Sequence, residues 1–207
     1  MRSNSLYIPQ PTARPGDNPG FDHLAIPAVG ETRRPEIFDS ESQMRDMPFG
    51  LVRVLDEEGQ AVGPWQIDVD PEQLRAGLKA MVKTRLFEDR MFRSHRQGKT
   101  SFYIRSTGEE AIGAAQSLVL GKADMCFPTY RMLAWLMARD YPMLDLVNQI
   151  FSTRDDPLKG RQLPTLYSAR DYGFYSLSGN VGSRIGHGVG WAMASAYRGL
   201  SDISIGH

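Results

Sequence analysis

The sequence contains one cysteine, Cys126, so no internal disulfide framework is possible, and its composition suits a reducing cytoplasm. Cys126 lies in a short apolar run, which favours a buried, inert thiol over a nucleophile. No apolar run approaches the ~18 residues that a membrane span needs, and the N-terminus shows no signal peptide. These absences predict a cytoplasmic protein that does not enter membranes.

Excess charge and the common catalytic motifs are also missing. The chain has 24 basic and 24 acidic residues, and a net charge of zero argues against nucleic acid or an anionic membrane as the main partner. There is no P-loop, no G-x-S-x-G elbow, and no His or Cys spacing typical of zinc. The function must therefore be sought in less familiar patterns.

Proline is concentrated at the N-terminus, where residues 1–50 hold seven of the thirteen prolines. Proline fixes φ and removes a hydrogen-bond donor, so neither a long helix nor a central strand is expected there. Isolated apolar residues in this stretch suggest an extended arm anchored on another surface, with disorder as the alternative. The predicted domains are this arm, 1–50, and an α/β domain, 51–207.

The rest of the chain predicts helices with short strands between them, which favours α/β layering. Asp70 and Pro71 suit the start of a helix and Gly98 its end. Its apolar stripe is formed by Leu74, Leu78, Met81, Val82 and Leu86, with Phe92 as a further candidate. The further predictions are a hairpin at 51–65, helices near 109–120, 132–140, 143–152 and 184–197, and strands at 125–127, 175–179 and the C-terminus.

The glycine-dense stretch GNVGSRIGHGVGWAMASA, 179–196, first suggests a nucleotide-binding loop. However, Gly186, Gly188 and Gly190 lie inside a helical pattern and do not complete the dinucleotide fingerprint, which needs a strand-to-helix turn. Close helix packing is the favoured interpretation. In the same helix, His187 is interpreted as a packed or interface histidine, and Glu109-Glu110 as a structural pair in the first turn of its helix.

Three polar junctions beside apolar strands remain: SFYIRSTGEEA (101–111), FPTYR (127–131) and SLSGNV (176–181). In an open α/β sheet, such junctions at the carboxyl ends of strands are where ligands bind. Tyr130 and Arg131 bring a phenol and a planar guanidinium together, and a guanidinium can bind phosphate through two parallel hydrogen bonds. Gly179 offers backbone groups without an obstructing side chain.

Taken in order, SFYIRSTGEEAIG, DMCFPTYR, DPLKGRQLP and SLSGNVGSRIGHGVGWAMASA resemble the α subunit of the E1 component of branched-chain 2-oxo acid (2-oxoisovalerate) dehydrogenase. The resemblance covers most of residues 50–200. It implies a thiamin-diphosphate-binding α/β fold, here truncated, with helices around a short parallel sheet and an extended N-terminal arm. It also implies a heterotetramer of two α and two β subunits, with lipoyl-E2 as the acceptor of the acyl group.

The resemblance also implies roles for individual residues. Thr129, Tyr130 and Arg131 would bind the cofactor diphosphate, while Gly179 and Val181 would approach the thiamin. Phe102 and Tyr130 would line the pocket for the branched substrate side chain. No catalytic residue is assigned in this chain, because the activating glutamate belongs to the β subunit.

Two metal sites of the family fit this sequence poorly. The Gly-Asp-Gly and Asn-Asn residues that bind Mg²⁺ are absent, so a chain of this length is expected to bind the cofactor weakly and to turn nothing over unaided. Ser178, Asn180 and Ser183 fall on a loop that holds a monovalent cation in some relatives. Arg184 argues against that cation, because it brings a positive charge where relatives have a neutral glutamine.

The leading hypothesis is an E1 α chain for oxidative decarboxylation of branched 2-oxo acids, with acyl transfer to a lipoyl group. One alternative is a truncated, non-catalytic product that retains only assembly surfaces and shows no cofactor response even with the β subunit. Another is the E1 α chain of pyruvate or acetoin dehydrogenase, which substrate competition would distinguish.

Overall fold

The computed structural model describes residues 13–18, 20, 31–33, 35–36, 38–45, 47, 54–63 and 69–207. Backbone contacts divide the chain into two units, Met1–Asp68 and Val69–His207. In the first unit, Leu55 and Ala61 form an antiparallel bridge, which agrees with the predicted hairpin. The remainder of that hairpin, at 51–53 and 64–65, and the apolar anchors of the arm lie outside the described residues.

The second unit is built from helices around a short parallel sheet, which confirms the predicted fold class. The two strands pair in parallel, with Met125 opposite Ser204 and Phe127 opposite Gly206. In chain order, the elements are α1 (Pro71–Arg96), α2 (Glu110–Val119), β1 (Met125–Phe127), α3 (Leu133–Ala138), α4 (Met143–Ile150), a 3-10 turn (Arg170–Tyr172), α5 (Ser183–Tyr197) and β2 (Ser204–Gly206).

The ends of α1 follow the sequence signals, but its buried face does not. The Asp70 carboxylate accepts a hydrogen bond of 3.0 Å from the Glu72 N–H, and Pro71 occupies the first turn. The predicted apolar stripe is wrong at Leu74, Leu78, Val82 and Leu86, which are exposed. Its other members, Met81 and Phe92, are partly buried against the core. The helix instead buries Gly77, Ala80, Thr84, Phe87, Glu88 and Met91.

The core of this unit forms where α1, α2 and α3 pack together. An added Cβ at Gly113 of α2 would lie 3.0 Å from the Trp135 nitrogen and 3.3 Å from the Ala134 Cβ, so the glycine permits close contact between α2 and α3. Trp135 is fully buried, and its indole N–H donates to the Tyr172 carbonyl at 3.0 Å. These contacts fix the position of the β1–α3 junction.

The strand predicted at 175–179 does not form. Pairing with β1 is limited to one parallel bridge, in which the Cys126 N–H donates to the Gly173 carbonyl and the Tyr175 N–H donates to the Cys126 carbonyl. The Leu177 N–H donates instead to the Tyr167 carbonyl, so the pairing with β1 does not continue along the segment. Among the described residues, no helix is both long enough and apolar enough to cross a membrane.

Candidate functional site

The first candidate site residues lie where β1 ends and α3 begins. Phe127 ends the strand, and the chain turns through Thr129, Tyr130 and Arg131. The Thr129 hydroxyl accepts a hydrogen bond of 3.1 Å from the Arg131 N–H, and the Thr129 carbonyl accepts one from the Met132 N–H. Two hydrogen bonds to Thr129 therefore stabilise the turn that carries the Tyr130 and Arg131 side chains.

Arg131 is held by two neighbours. Its guanidinium carbon lies 4.9 Å from the centroid of the Tyr130 ring, and its Nη1 donates to the Tyr130 hydroxyl at 3.4 Å. Its Nε lies 3.5 Å from a carboxylate oxygen of Glu109. The guanidinium remains partly exposed, so it is positioned and still accessible to an anion.

Glu109 is the candidate site residue that the sequence analysis missed. Its position just before α2 predicted a structural role, and the pattern gave no sign of the Arg131 contact because the two residues are far apart in the chain. Its neighbour Glu110 does have the predicted structural role. The Glu110 carboxylate accepts hydrogen bonds from the Arg85 Nε at 2.6 Å and the Gly108 N–H at 2.8 Å.

The charge on Glu110 is favoured by these partners. Burial acts to raise the pKa of its carboxyl, but the hydrogen bonds from Arg85 and from backbone N–H groups outweigh burial, and the net shift is downward. An ionised Glu110 clamps the Gly108 turn to α1 through Arg85. This contact fixes the start of α2, and with it the neighbouring Glu109.

The second candidate group is the loop from Ser178 to Gly182, before α5. Gly182 precedes the helix with a φ of +84°, a conformation that glycine adopts without steric cost. The Ser178 hydroxyl accepts from the Asn180 N–H at 3.2 Å, and the Ser183 hydroxyl donates to the Asn180 carbonyl at 2.9 Å. Internal hydrogen bonds therefore shape the loop.

The two residues predicted to approach the thiamin are open to solvent on this loop. Val181 is 87% exposed, and an added Cβ at Gly179 would meet no atom within 4 Å. Both can therefore be reached by a ligand. An apolar side chain as exposed as Val181 gains stabilisation if a ligand or a partner covers it.

A chain of hydrogen bonds joins this loop to the end of β1. The Arg184 Nη1 donates to the Ser178 carbonyl at 3.3 Å, and its Nε donates to the His207 carbonyl at 2.6 Å. The His207 N–H in turn donates to the Phe127 carbonyl at 3.2 Å. Since β1 and β2 are parallel, these contacts bring the loop to the sheet edge from which Thr129–Arg131 leaves.

His207 is influenced by charges from both candidate groups, Arg184 beside the Ser178–Gly182 loop and Glu109 beside Arg131. Burial lowers the pKa of its imidazole, the Arg184 charge lowers it further, and the Glu109 carboxylate acts in the opposite direction. Glu109 thus influences Arg131 by contact and His207 by its charge. The edge of the sheet carries charges of both signs from α2, the β1–α3 turn and α5.

The other sequence-predicted residues lie as follows. Phe102 is partly exposed, in a segment held by the buried Glu88, whose carboxylate accepts from the Ser106 N–H at 2.8 Å. His187 is exposed on α5, with its ring centroid 5.8 Å from that of Tyr175. Cys126 is fully buried, and burial raises the pKa of its thiol to about 12, which confirms an inert thiol.

Comparison of the sequence with known proteins identifies the family to which the chain belongs. Residues 78–206 match the model of the family described as dehydrogenase E1 component. The chain belongs to this family. A second model, described as 2-oxoisovalerate dehydrogenase E1 alpha subunit N terminal, matches residues 2–40 of the same E1 chain. Members of the dehydrogenase E1 family depend on thiamin diphosphate.

Individual relatives agree with the family match. The E1 chain is 48% identical to the 2-oxoisovalerate dehydrogenase subunit alpha of Pseudomonas aeruginosa over 199 residues, which are 96% of this chain and 48% of that protein. The mitochondrial subunit alpha 2 of Arabidopsis thaliana is 32% identical over 162 residues, and the mitochondrial subunit alpha of Homo sapiens is 32% identical over 146. These cover 77% and 70% of the chain, and 34% and 33% of the two proteins. The chain spans about half the length of the bacterial relative.

The side chains at the sheet edge suit one half of a bound thiamin diphosphate. Arg131 and the Tyr130 hydroxyl supply donors for phosphate oxygens, and the open backbone at Gly179 leaves room for a ring system. The described residues do not offer a comparable group of ligands for a divalent metal ion. Within the part of the chain that the structure describes, no three His, Cys, Asp or Glu side chains come together as a metal site.

Proposed function

We propose that this E1 chain forms part of the α subunit of a branched-chain 2-oxo acid dehydrogenase E1 component and holds the diphosphate of thiamin diphosphate. The observation that carries the proposal is the Arg131 guanidinium, held beside Tyr130 and Glu109 at the carboxyl end of β1 and still accessible. Ligands of open α/β sheets bind at this edge.

Each proposed residue has a task that its environment supports. Arg131 and the Tyr130 hydroxyl hydrogen-bond the diphosphate, with Thr129 fixing the turn between them. Gly179 leaves space for the thiamin, and the exposed Val181 packs near its rings. Phe102 and Tyr130 line the pocket for a branched aliphatic side chain, because both offer aromatic surface.

The reaction is the oxidative decarboxylation of branched 2-oxo acids. When bound, thiamin diphosphate supplies a nucleophilic carbon and an electron sink for the loss of CO₂. The residues of this chain orient and bind, while a β subunit supplies the activating glutamate and a lipoyl-E2 accepts the acyl group. Mg²⁺ would neutralise part of the diphosphate charge, and its ligands would lie outside residues 1–207.

The proposal is tested by measuring thiamin diphosphate binding with Mg²⁺ and the β subunit present, using titration calorimetry. The variant Arg131→Gln removes a charged donor, and such hydrogen bonds contribute roughly 1.5–3 kcal/mol, so affinity is expected to fall about 10- to 150-fold. Arg154→Gln is the matched control. Its side chain is 94% exposed and contacts only its neighbour Asp155 among the ion pairs of the described residues, so its affinity should equal that of the wild type.

Two results would count against the proposal. Equal affinity in Arg131→Gln and wild type would remove the arginine from the diphosphate site. Absence of any binding by the wild-type chain with the β subunit present would favour the alternative of a chain that retains assembly surfaces only.

A further inference from the structure

Arg184 is a charged side chain in an unusual place. It is the second residue of α5 and is only 5% exposed. Arginine is rarely buried to this extent without a partner, because removing its charge from water costs several kcal/mol unless it is compensated. The surroundings of the guanidinium should therefore show how its charge is satisfied.

Backbone oxygens, and not an Asp or Glu side chain, satisfy it among the described residues. The Arg184 Nε donates to the His207 carbonyl at 2.6 Å, and Nη1 donates to the Ser178 carbonyl at 3.3 Å. In the described part of the chain, no Asp or Glu lies within ion-pair distance of Arg184. Oxygen atoms are also the groups that bind hard metal cations in proteins, so the Ser178 carbonyl is occupied here by the guanidinium charge.

The oxygens of the adjoining loop are already committed to internal donors. The Ser178 carbonyl accepts from Arg184, the Ser178 hydroxyl from the Asn180 N–H, and the Asn180 carbonyl from the Ser183 hydroxyl. A cation bound by this loop would have to displace these donors. It would also come close to the guanidinium, and two like charges at short range repel strongly away from bulk water.

We propose that the Arg184 guanidinium serves as a built-in cation for the Ser178–Ser183 loop, so that this chain binds no potassium there. The resemblance implies that some relatives hold a structural monovalent cation in this loop, with a neutral glutamine in place of Arg184. In this chain, the guanidinium ties the loop to His207 and, through the His207 N–H, to the end of β1. The loop is then fixed by a covalently attached charge whose presence does not depend on the salt composition.

The test is thermal unfolding of the full chain in potassium chloride and in tetramethylammonium chloride at equal ionic strength. The wild-type midpoint is expected to be the same in both salts, within about 1 °C. In Arg184→Gln, loss of a buried charged donor lowers the midpoint by roughly 3–10 °C in tetramethylammonium chloride. Potassium then restores part of this loss along a saturable curve, because the loop oxygens are free to bind it.

Two further variants make the comparison specific. Arg184→Lys keeps the charge but has no planar fork, so its midpoint should lie between those of wild type and Arg184→Gln and show no response to potassium. Arg154→Gln removes an exposed arginine and should match the wild type in both salts.

The proposal fails if potassium raises the wild-type midpoint in a saturable way. It also fails if Arg184→Gln melts like the wild type, or if it is destabilised and potassium restores nothing. If Arg184→Gln does not fold, a potassium response in wild type or in Arg184→Lys overturns the proposal, and its absence in both supports it. The unfolding experiments contain neither thiamin diphosphate nor a β subunit, so their outcome is independent of the proposed function.

Discussion

Two helices of the second unit, α3 and α5, are both rich in apolar residues but are buried to very different extents. In α3, every residue from Leu133 to Met137 is buried. In α5, which has 15 residues, the buried ones are Arg184, Gly188 and Ser195, and the apolar Ile185, Val189 and Met193 are exposed. Large apolar side chains are therefore buried in one helix and exposed in the other.

Their neighbours explain the difference. Helix α3 packs against both α1 and α2, so it is enclosed on several sides. Helix α5 contacts the two short strands through one face, where Gly188 lies close to the Phe127 ring. Burial of an apolar helix therefore depends on how many elements surround it within the chain. The outer face of α5 has apolar side chains available to a partner.

The largest expected effect on stability comes from replacing one large side chain in each helix by alanine. Trp135→Ala removes a fully buried indole, and such changes cost about 3–5 kcal/mol of unfolding free energy. Met193→Ala removes a side chain that is 68% exposed and should change stability by less than about 0.5 kcal/mol. Urea unfolding of both variants measures the contrast, and similar losses would show that α5 is covered in solution.

A smaller effect is expected from adding one methyl group to a glycine. Gly113→Ala places a Cβ 3.0 Å from the Trp135 nitrogen, so α2 and α3 must separate, at a cost of about 1–3 kcal/mol. Gly186→Ala on α5 meets no atom within 4 Å and replaces glycine in a helix, which should stabilise by roughly 0.5–1 kcal/mol. Opposite signs in urea unfolding are expected, and a loss in both would contradict the comparison.

The smallest effect on stability is expected from placing a thiol on α5. Met193→Cys should leave the unfolding free energy nearly unchanged, and its exposed thiol should react readily with a disulfide reagent at pH 8. The buried Cys126 has a pKa of about 12, so its thiolate fraction at that pH is on the order of 10⁻⁴, and it should react only after denaturant is added. Equal labelling rates of the two thiols in the native protein would show that the core opens freely.

The sequence predicts element boundaries well where the signal is chemical and local. Asp70 and Pro71 mark the start of α1, and the structure confirms both. The first half of the buried face of α1 escapes prediction because it is built from the small residues Gly77, Ala80 and Thr84. Their size permits close approach to α2, where the Leu118 side chain lies 2.9 Å from an added Gly77 Cβ. Hydrophobicity selects large residues and cannot detect this kind of packing.

The candidate site shows the same division. The adjacent residues Tyr130 and Arg131 are visible in the sequence, and the structure brings their side chains together. The contact between Arg131 and Glu109 depends on how α2 and α3 pack, which no local pattern encodes. The cofactor roles of Thr129, Gly179, Val181 and Phe102 rest on the resemblance and remain predictions.

Close packing around Gly173 restricts which amino acids this position can accept during evolution. Its φ is +66°, and an added Cβ would lie 2.6 Å from the Arg139 Nη1 and 2.7 Å from the Asp124 carbonyl. Both the backbone angle and the lack of space reject any side chain, so a single substitution elsewhere cannot make the position tolerant. While Arg139 keeps its hydrogen bonds to the Tyr172 and Leu120 carbonyls, essentially no other amino acid is a neutral replacement at position 173.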